Sequence, residues 1–143
     1  MIEVNLKLFF HFVGIIIALG AVTVIDVMGF FSRKSIKKTQ ETIVAHHTTK
    51  PLIWVGTIIV LISWVFILIQ KNFGEIEIIK SILLVIIILN GCFLSFHISP
   101  RLSKMKGVKK LLNKSLQIKI GISLVVSLIS WWGFVFFSFA NLS

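Results

Sequence analysis

The sequence predicts an all-α integral membrane protein, a bundle of four spanning helices with both termini on the outer side. Three observations carry that expectation. Four apolar runs of about 20 residues follow one another, the few charged residues (14%) gather between them, and lysine and arginine are distributed one-sidedly. Hydrophobic residues make up 57% of the chain and mean hydropathy is +1.01, beyond the roughly 45–50% apolar content of soluble domains. Backbone amides in lipid must be paired within their own segment, so runs of this kind have to be helices. They are continuous and do not alternate, which argues against a transmembrane β-barrel. With 143 residues, a single domain covering 1–143 is expected.

The spans are expected at about 8–31, 52–70, 78–98 and 118–140. Each is long enough for a hydrocarbon core of ~30 Å at ~1.5 Å per residue. The first apolar run exceeds the ~7–15 residues of a signal peptide, and no A-x-A site follows it, so it reads as a retained span. Pro51 stands where span 2 opens, and Pro100 follows span 3 as a stop. Span 4 carries Ser123, Ser127 and Ser130, a small-residue stripe suited to a buried helix face.

Charge sets the expected topology. Arg33, Lys34, Lys37, Lys38 and Lys50 lie in the segment 32–51. Arg101, Lys104, Lys106, Lys109, Lys110 and Lys114 lie in 99–117, with Lys119 just beyond. The opposite side has Lys7, Lys71 and Lys80, beside Glu3, Glu75 and Glu77. Twelve basic residues against three predict that both long loops face the cytoplasm of a cell-membrane protein. The net charge of +10 then reads as topology and contact with anionic headgroups; no nucleic-acid motif is present. The segment RLSKMKGVKKLLNK has two readings, an amphipathic surface helix or an unstructured basic loop. His46 and His47 next to Lys50 read as a solvated helix entry, and Trp54 and Trp132 as interfacial anchors. Cys92 is the only cysteine, so no internal disulfide can form.

Ionisable groups inside spans are costly and start as functional candidates. Depth sorts them. Counted from the span centres, His11 lies ~13 Å and Lys80 ~12 Å toward the outside, while Asp26 and His97 fall in the cytoplasmic half. A haem held between His11 and His97 is excluded, because the two would stand ~27 Å apart along the membrane normal. Two clusters remain. The outer one joins His11 and Lys80 with Trp64, Ser130, Trp131 and Trp132; a neutral imidazole can ligate haem iron and an ammonium can pair with a porphyrin carboxylate. Lys80 could equally snorkel or pair with Glu77 one turn away. The inner cluster joins Asp26, Asn90, His97 and Arg101, with His46 or His47 as further candidates, for metal binding, proton relay or a plain Asp26–Arg101 or Asp26–lysine ion pair.

The early Phe10-His11-Phe12-Val13-Gly14, the Pro51 opening of span 2 and Ile79-Lys80-Ser81 opening span 3 resemble a known pattern. In this four-span, outside-termini architecture the chain resembles the HemJ-type protoporphyrinogen oxidases and the wider copper-resistance D-type membrane proteins. The resemblance implies haem b near the outer side, with His11 as axial ligand and Lys80 serving haem or porphyrin as the catalytic lysine; Trp131 of the outer cluster is then expected beside that cofactor. It also implies dehydrogenation of protoporphyrinogen IX, with electrons passing to the membrane quinone pool. The chain departs from that pattern in three places. AHHTTK replaces an arginine-rich approach to span 2, span 4 lacks a proline region, and Asp26 is an addition. Three functions are therefore expected from the sequence. The first is a haem-associated membrane oxidoreductase using His11 and Lys80. The second is a small proton- or cation-coupled transporter or channel protomer, working as a homo-oligomer through Asp26 and His97. The third is a non-catalytic membrane partner subunit.

Overall fold

A computed structural model describes residues 5–70 and 74–140, and every described element is helical. Helix α1 runs Leu6–Ser32, α2 Ile36–Gln70, α3 Glu75–Cys92, α4 Ser99–Lys104 and α5 Lys114–Ala140. A π-helical turn, Phe93–Ile98, joins α3 to α4. Among the described residues, four stretches are long and apolar enough to cross a membrane: α1, α2, the continuous Glu75–Lys104 and α5. Glu3 and Lys71, counted above on the outer side, lie outside the described residues.

The helices pack as a ring in the order α1, α2, α3, α5, with each neighbour antiparallel. The pairings His11–Ser63, Trp64–Ser81, Asn90–Ser123 and Phe12–Phe139 mark the four contacts. Both described ends of the chain, the last turn of α2 and the first turn of α3 therefore share one end of the bundle, the terminal end. The basic segments share the other, the basic-loop end. Large apolar side chains such as Ile16, Phe30, Ile69 and Phe96 are exposed on the outside, as a lipid-facing surface requires.

The α1–α2 seam is the tightest. A Cβ added at Gly56 would stand 2.6 Å from the Ala18 amide nitrogen and 2.7 Å from the Gly14 carbonyl oxygen. Only hydrogen fits there, so the two backbones touch through Gly14, Ala18 and Gly56 in the manner of small-residue membrane interfaces. On α5, Ser123, Ser127 and Ser130 are all buried. Ser123 and Asn90 exchange hydrogen bonds across α3–α5: Asn90 Nδ2 donates to the Ser123 carbonyl at 3.1 Å, and Ser123 Oγ donates to Asn90 Oδ1 at 2.6 Å.

Three boundaries differ from the sequence expectation. Pro100 does not stop span 3, which runs on through the π-turn and α4 to Lys104, with the proline in the first turn of α4, where proline is tolerated. The segment 32–51 is not a loop: only residues 33–35 connect α1 to α2, and 36–50 are the first turns of a 35-residue helix. Pro51 thus sits inside α2 rather than at its start. The run IKKTQETIVAHHTTK is polar but made largely of helix-compatible residues, and its buried side is fastened to α1. Thr39 Oγ1 donates to the Ser32 and Ser35 carbonyls at 2.8 and 2.9 Å, and Thr42 Oγ1 to the Met28 carbonyl at 3.1 Å. An amphipathic helix across 101–114 is also absent. Helix α4 ends at Lys104, and Gly107 takes a positive φ of 79°, which breaks the helical course. Nor is the segment unstructured. Gln40 Nε2 donates to the Met105 and Val108 carbonyls at 3.0 and 3.1 Å, and the Gly107 amide donates to Gln40 Oε1 at 2.8 Å.

Two apolar layers fill the interior. One, from mid-bundle toward the terminal end, holds Ile15, Ala18, Val60, Trp64, Trp131 and Phe134 among others. The other closes the basic-loop end with Ile43, Ile98, Leu102, Leu112 and Leu116.

Candidate functional site

Polar side chains are buried at two levels. At the terminal end, His11 of α1 is 1% exposed and Lys80 of α3 is 3% exposed. Both lie against the same two rings. Lys80 Nζ stands 4.0 Å from the Trp64 ring centroid and 5.5 Å from that of Phe134. The His11 ring is 6.0 Å from Trp64 and 5.6 Å from Phe134. An ammonium over an indole face is attracted by the ring quadrupole, more strongly without water between them. Trp64 is held in place by its indole N–H, which donates to Ser81 Oγ at 3.3 Å.

The tautomer of His11 follows from its neighbours. Ser63 gives its one hydroxyl proton to the Val60 carbonyl at 2.9 Å, so the 3.1 Å contact to His11 Nδ1 has the imidazole as donor. Nε2 then carries only a lone pair, and it is buried without a hydrogen-bond partner among the described residues. Trp131 is buried in the neighbouring apolar layer, Ser130 is buried, and Trp132 points outward. A groove of about 390 Å³ runs along the lipid-facing side, lined by Leu6, Lys7, Phe10 and Phe66, with Ser63 on its wall. Among the described residues no three His, Cys, Asp or Glu side chains gather as a metal-holding group.

The second level lies between the two apolar layers, toward the basic-loop end. A cavity of about 90 Å³ is bounded there by Asp26 of α1, His46, Lys50 and Trp54 of α2, Ser95 of the π-turn and a wall of aliphatic side chains. A smaller one of about 40 Å³ adjoins it, reaching Thr57, Asn90, Ser127 and Trp131 at mid-bundle. Asp26 borders both. Asp26 Oδ2 and His46 Nε2 are buried, and neither has a hydrogen-bond partner among the described residues. The walls are mostly aliphatic, with Asp26, His46 and Lys50 as polar points on them, and the space exceeds the ~10–15 Å³ that one water needs.

Of the inner group expected from sequence, Asp26 and Asn90 border a shared cavity. His97 and Arg101 do not. His97 stacks on Phe93 at 5.2 Å and 21° on another face of the π-turn, and Arg101 is exposed on α4. The residues that join Asp26 are His46 and Lys50, which come inward because 36–50 is helix. His46 is therefore not a solvated entry residue, whereas His47 is exposed. Trp54 is no simple interfacial anchor either: its indole N–H donates to Ser95 Oγ at 2.9 Å. One sequence signal could have found this face. Thr39, Ile43, His46 and Lys50 are spaced 4, 3 and 4 residues apart, a single stripe of a helix.

Comparison with family models, with curated proteins and with solved structures found no match for this chain. The class defined by the fold is a small multi-pass membrane protein built as a four-helix bundle.

Proposed function

We propose that this chain is a small cation-handling protein of the cell membrane, a transporter or channel protomer in which Asp26 binds and releases a proton or small cation. The observation that carries the reading is a buried carboxyl oxygen without a partner among the described residues, inside a cavity that also holds an unpartnered imidazole nitrogen. A carboxylate at membrane depth is expensive and marks an ion or proton pathway by default. The basic-loop end faces the cytoplasm by the positive-inside rule, with its lysines against anionic headgroups. The cavity then lies in the cytoplasmic half, and the Trp64, Trp131 and Phe134 layer separates it from the outer side. His46 stands in the role that the sequence suggests for His97.

Flux of protons or monovalent cations into liposomes containing the purified protein tests this. Asp26→Asn keeps the shape and removes the charge, and it is expected to lower flux to that of empty vesicles. Flux unchanged in Asp26→Asn overturns the reading.

A second reading keeps the haem that the family resemblance implies, and one observation favours it. His11 has Nδ1 tied to Ser63 and Nε2 bare, the arrangement of an axial ligand oriented by an outer partner. Haem would supply one-electron chemistry, with the Lys80 ammonium as counter-charge to a propionate. The imidazole suits the ligand role. The macrocycle does not fit beside it as packed, because Trp64 and Phe134 close over the ring, so transport stands first. Protein from haem-supplemented cells is the test. A Soret band lost in His11→Ala and kept in His97→Ala supports haem, and a colourless preparation removes it.

A further inference from the structure

The basic residue inside the cavity has an unusual seat, and Pro100 explains it. In an α-helix the Ser95 carbonyl would accept the Ser99 amide. Here the Ser99 amide bonds one residue further back, to the Leu94 carbonyl, the π register. The π partner of the Ser95 carbonyl would be the amide of residue 100, but proline has no N–H. The Ser95 carbonyl is therefore released from the helix ladder on the side facing α2. Lys50 Nζ takes it at 3.4 Å, together with Ser99 Oγ at 3.4 Å.

That seat is weak. Bonds from a charged donor to a charged acceptor run near 2.7–2.9 Å, whereas both Lys50 bonds are long and end on neutral oxygens. The cavity beside it holds Asp26, with no bonded partner on Oδ2 among the described residues. The titratable groups bordering this space are Asp26 from α1 and His46 and Lys50 from α2. The π-turn, α3, α4, α5 and the segment before α5 contribute serine, glycine and aliphatic side chains.

We propose that Lys50 is the resident counter-ion of Asp26. It rests on the Ser95 carbonyl while a proton or cation occupies Asp26, and crosses to the carboxylate when that occupant leaves. The inference rests on Asp26 as the cation site and names how the emptied site is neutralised. An unpaired carboxylate in low dielectric is costly, and a tethered ammonium in the same cavity removes that cost. Cation and Lys50 then compete for one carboxyl group, so occupancy by one excludes the other.

Zero-length cross-linking of the full chain in liposomes tests the encounter without reading transport. A membrane-permeant carbodiimide adds to the Asp26 carboxyl group. The neutral amine of Lys50 then attacks the acyl carbon, and the dialkylurea leaves with the carboxyl oxygen. The protein loses one water overall and gains an Asp26–Lys50 amide, located by peptide mass spectrometry. The amide is expected in the unmodified protein and absent in Lys50→Gln and Asp26→Asn. It should rise several-fold in Pro100→Ala, which returns a backbone donor to the Ser95 carbonyl. It should also rise in Ser99→Ala, which removes the second acceptor and leaves the backbone unchanged. No amide, or a yield indifferent to both releasing variants, overturns the counter-ion role even where flux depends on Asp26. An amide that follows these variants in a protein without flux upholds the Lys50–Asp26 exchange and removes transport.

Discussion

Replacing Gly56 by leucine is expected to separate α1 from α2 and abolish the folded bundle. The cause is the nature of the atoms that a side chain would meet. At Gly56 they are the Ala18 amide nitrogen, the Ala18 Cβ and the Gly14 carbonyl oxygen, all within 2.7 Å. None of them is the end of a flexible side chain, so relief requires moving one helix away from the other. Overpacking of a well-packed interior costs about 1–3 kcal/mol. Alanine at Gly56 should lie in that range, and leucine beyond it. Gly20 is the control, because a methyl group placed there would have nothing within 4 Å. Gly20→Ala should be neutral or gain up to ~1 kcal/mol from helix propensity. Thermal melting in detergent, followed by helical circular dichroism and loss of monodisperse elution, reads all three variants. Equal melting of Gly56→Leu and the parent would refute the close seam.

Removing the Trp64 side chain is the second large effect expected. Trp64 is 2% exposed, and it belongs to the apolar layer against which His11 and Lys80 lie, offering Lys80 its face. Truncation of a buried aromatic residue to alanine costs about 3–5 kcal/mol, and a desolvated cation–π contact adds about 2 kcal/mol. Trp64→Phe retains a ring beneath Lys80 and gives up mainly the hydrogen bond to Ser81, worth about 1 kcal/mol. The informative comparison is the double variant Trp64→Ala with Lys80→Met, which removes the ammonium along with its platform. It should lose less than the sum of the two single losses, because each single loss counts the shared ring–ammonium contact. If it melts lower by the full sum of the two single losses, the ring and the ammonium do not act together.

The spans are readable because hydropathy and the backbone's need for internal pairing leave one solution for each apolar run. The buried serine face of α5 is readable too, from spacing alone. Polarity, by contrast, is a poor guide to where a loop lies. The lysines at 37, 38 and 50 look like a solvated connection, yet Thr39, Ile43, His46 and Lys50 share one face while the remaining charges point elsewhere. A count of charges along the chain does not register which face each one occupies. His97 shows the converse. Its position one helical turn from Phe93 and inside the π-turn decides where the ring goes, and a regular 100° step per residue misplaces it. Pro100 reads in the sequence only as a stop, though its missing amide acts on the carbonyl of Ser95 five residues earlier.

The three-residue connection between α1 and α2 has a consequence for how the protein is made. Chains emerge amino-terminal end first, so the Gly14–Ala18–Gly56 seam can close before α3 has left the ribosome. A lone aspartate costs roughly 2.5–3.5 kcal/mol at the centre of an inserting helix on the translocon scale, and less at Asp26, which lies toward the basic-loop end of α1. His46 and Lys50 of the adjoining helix border the same cavity as Asp26, so the first hairpin brings both groups into the lipid alongside that carboxyl.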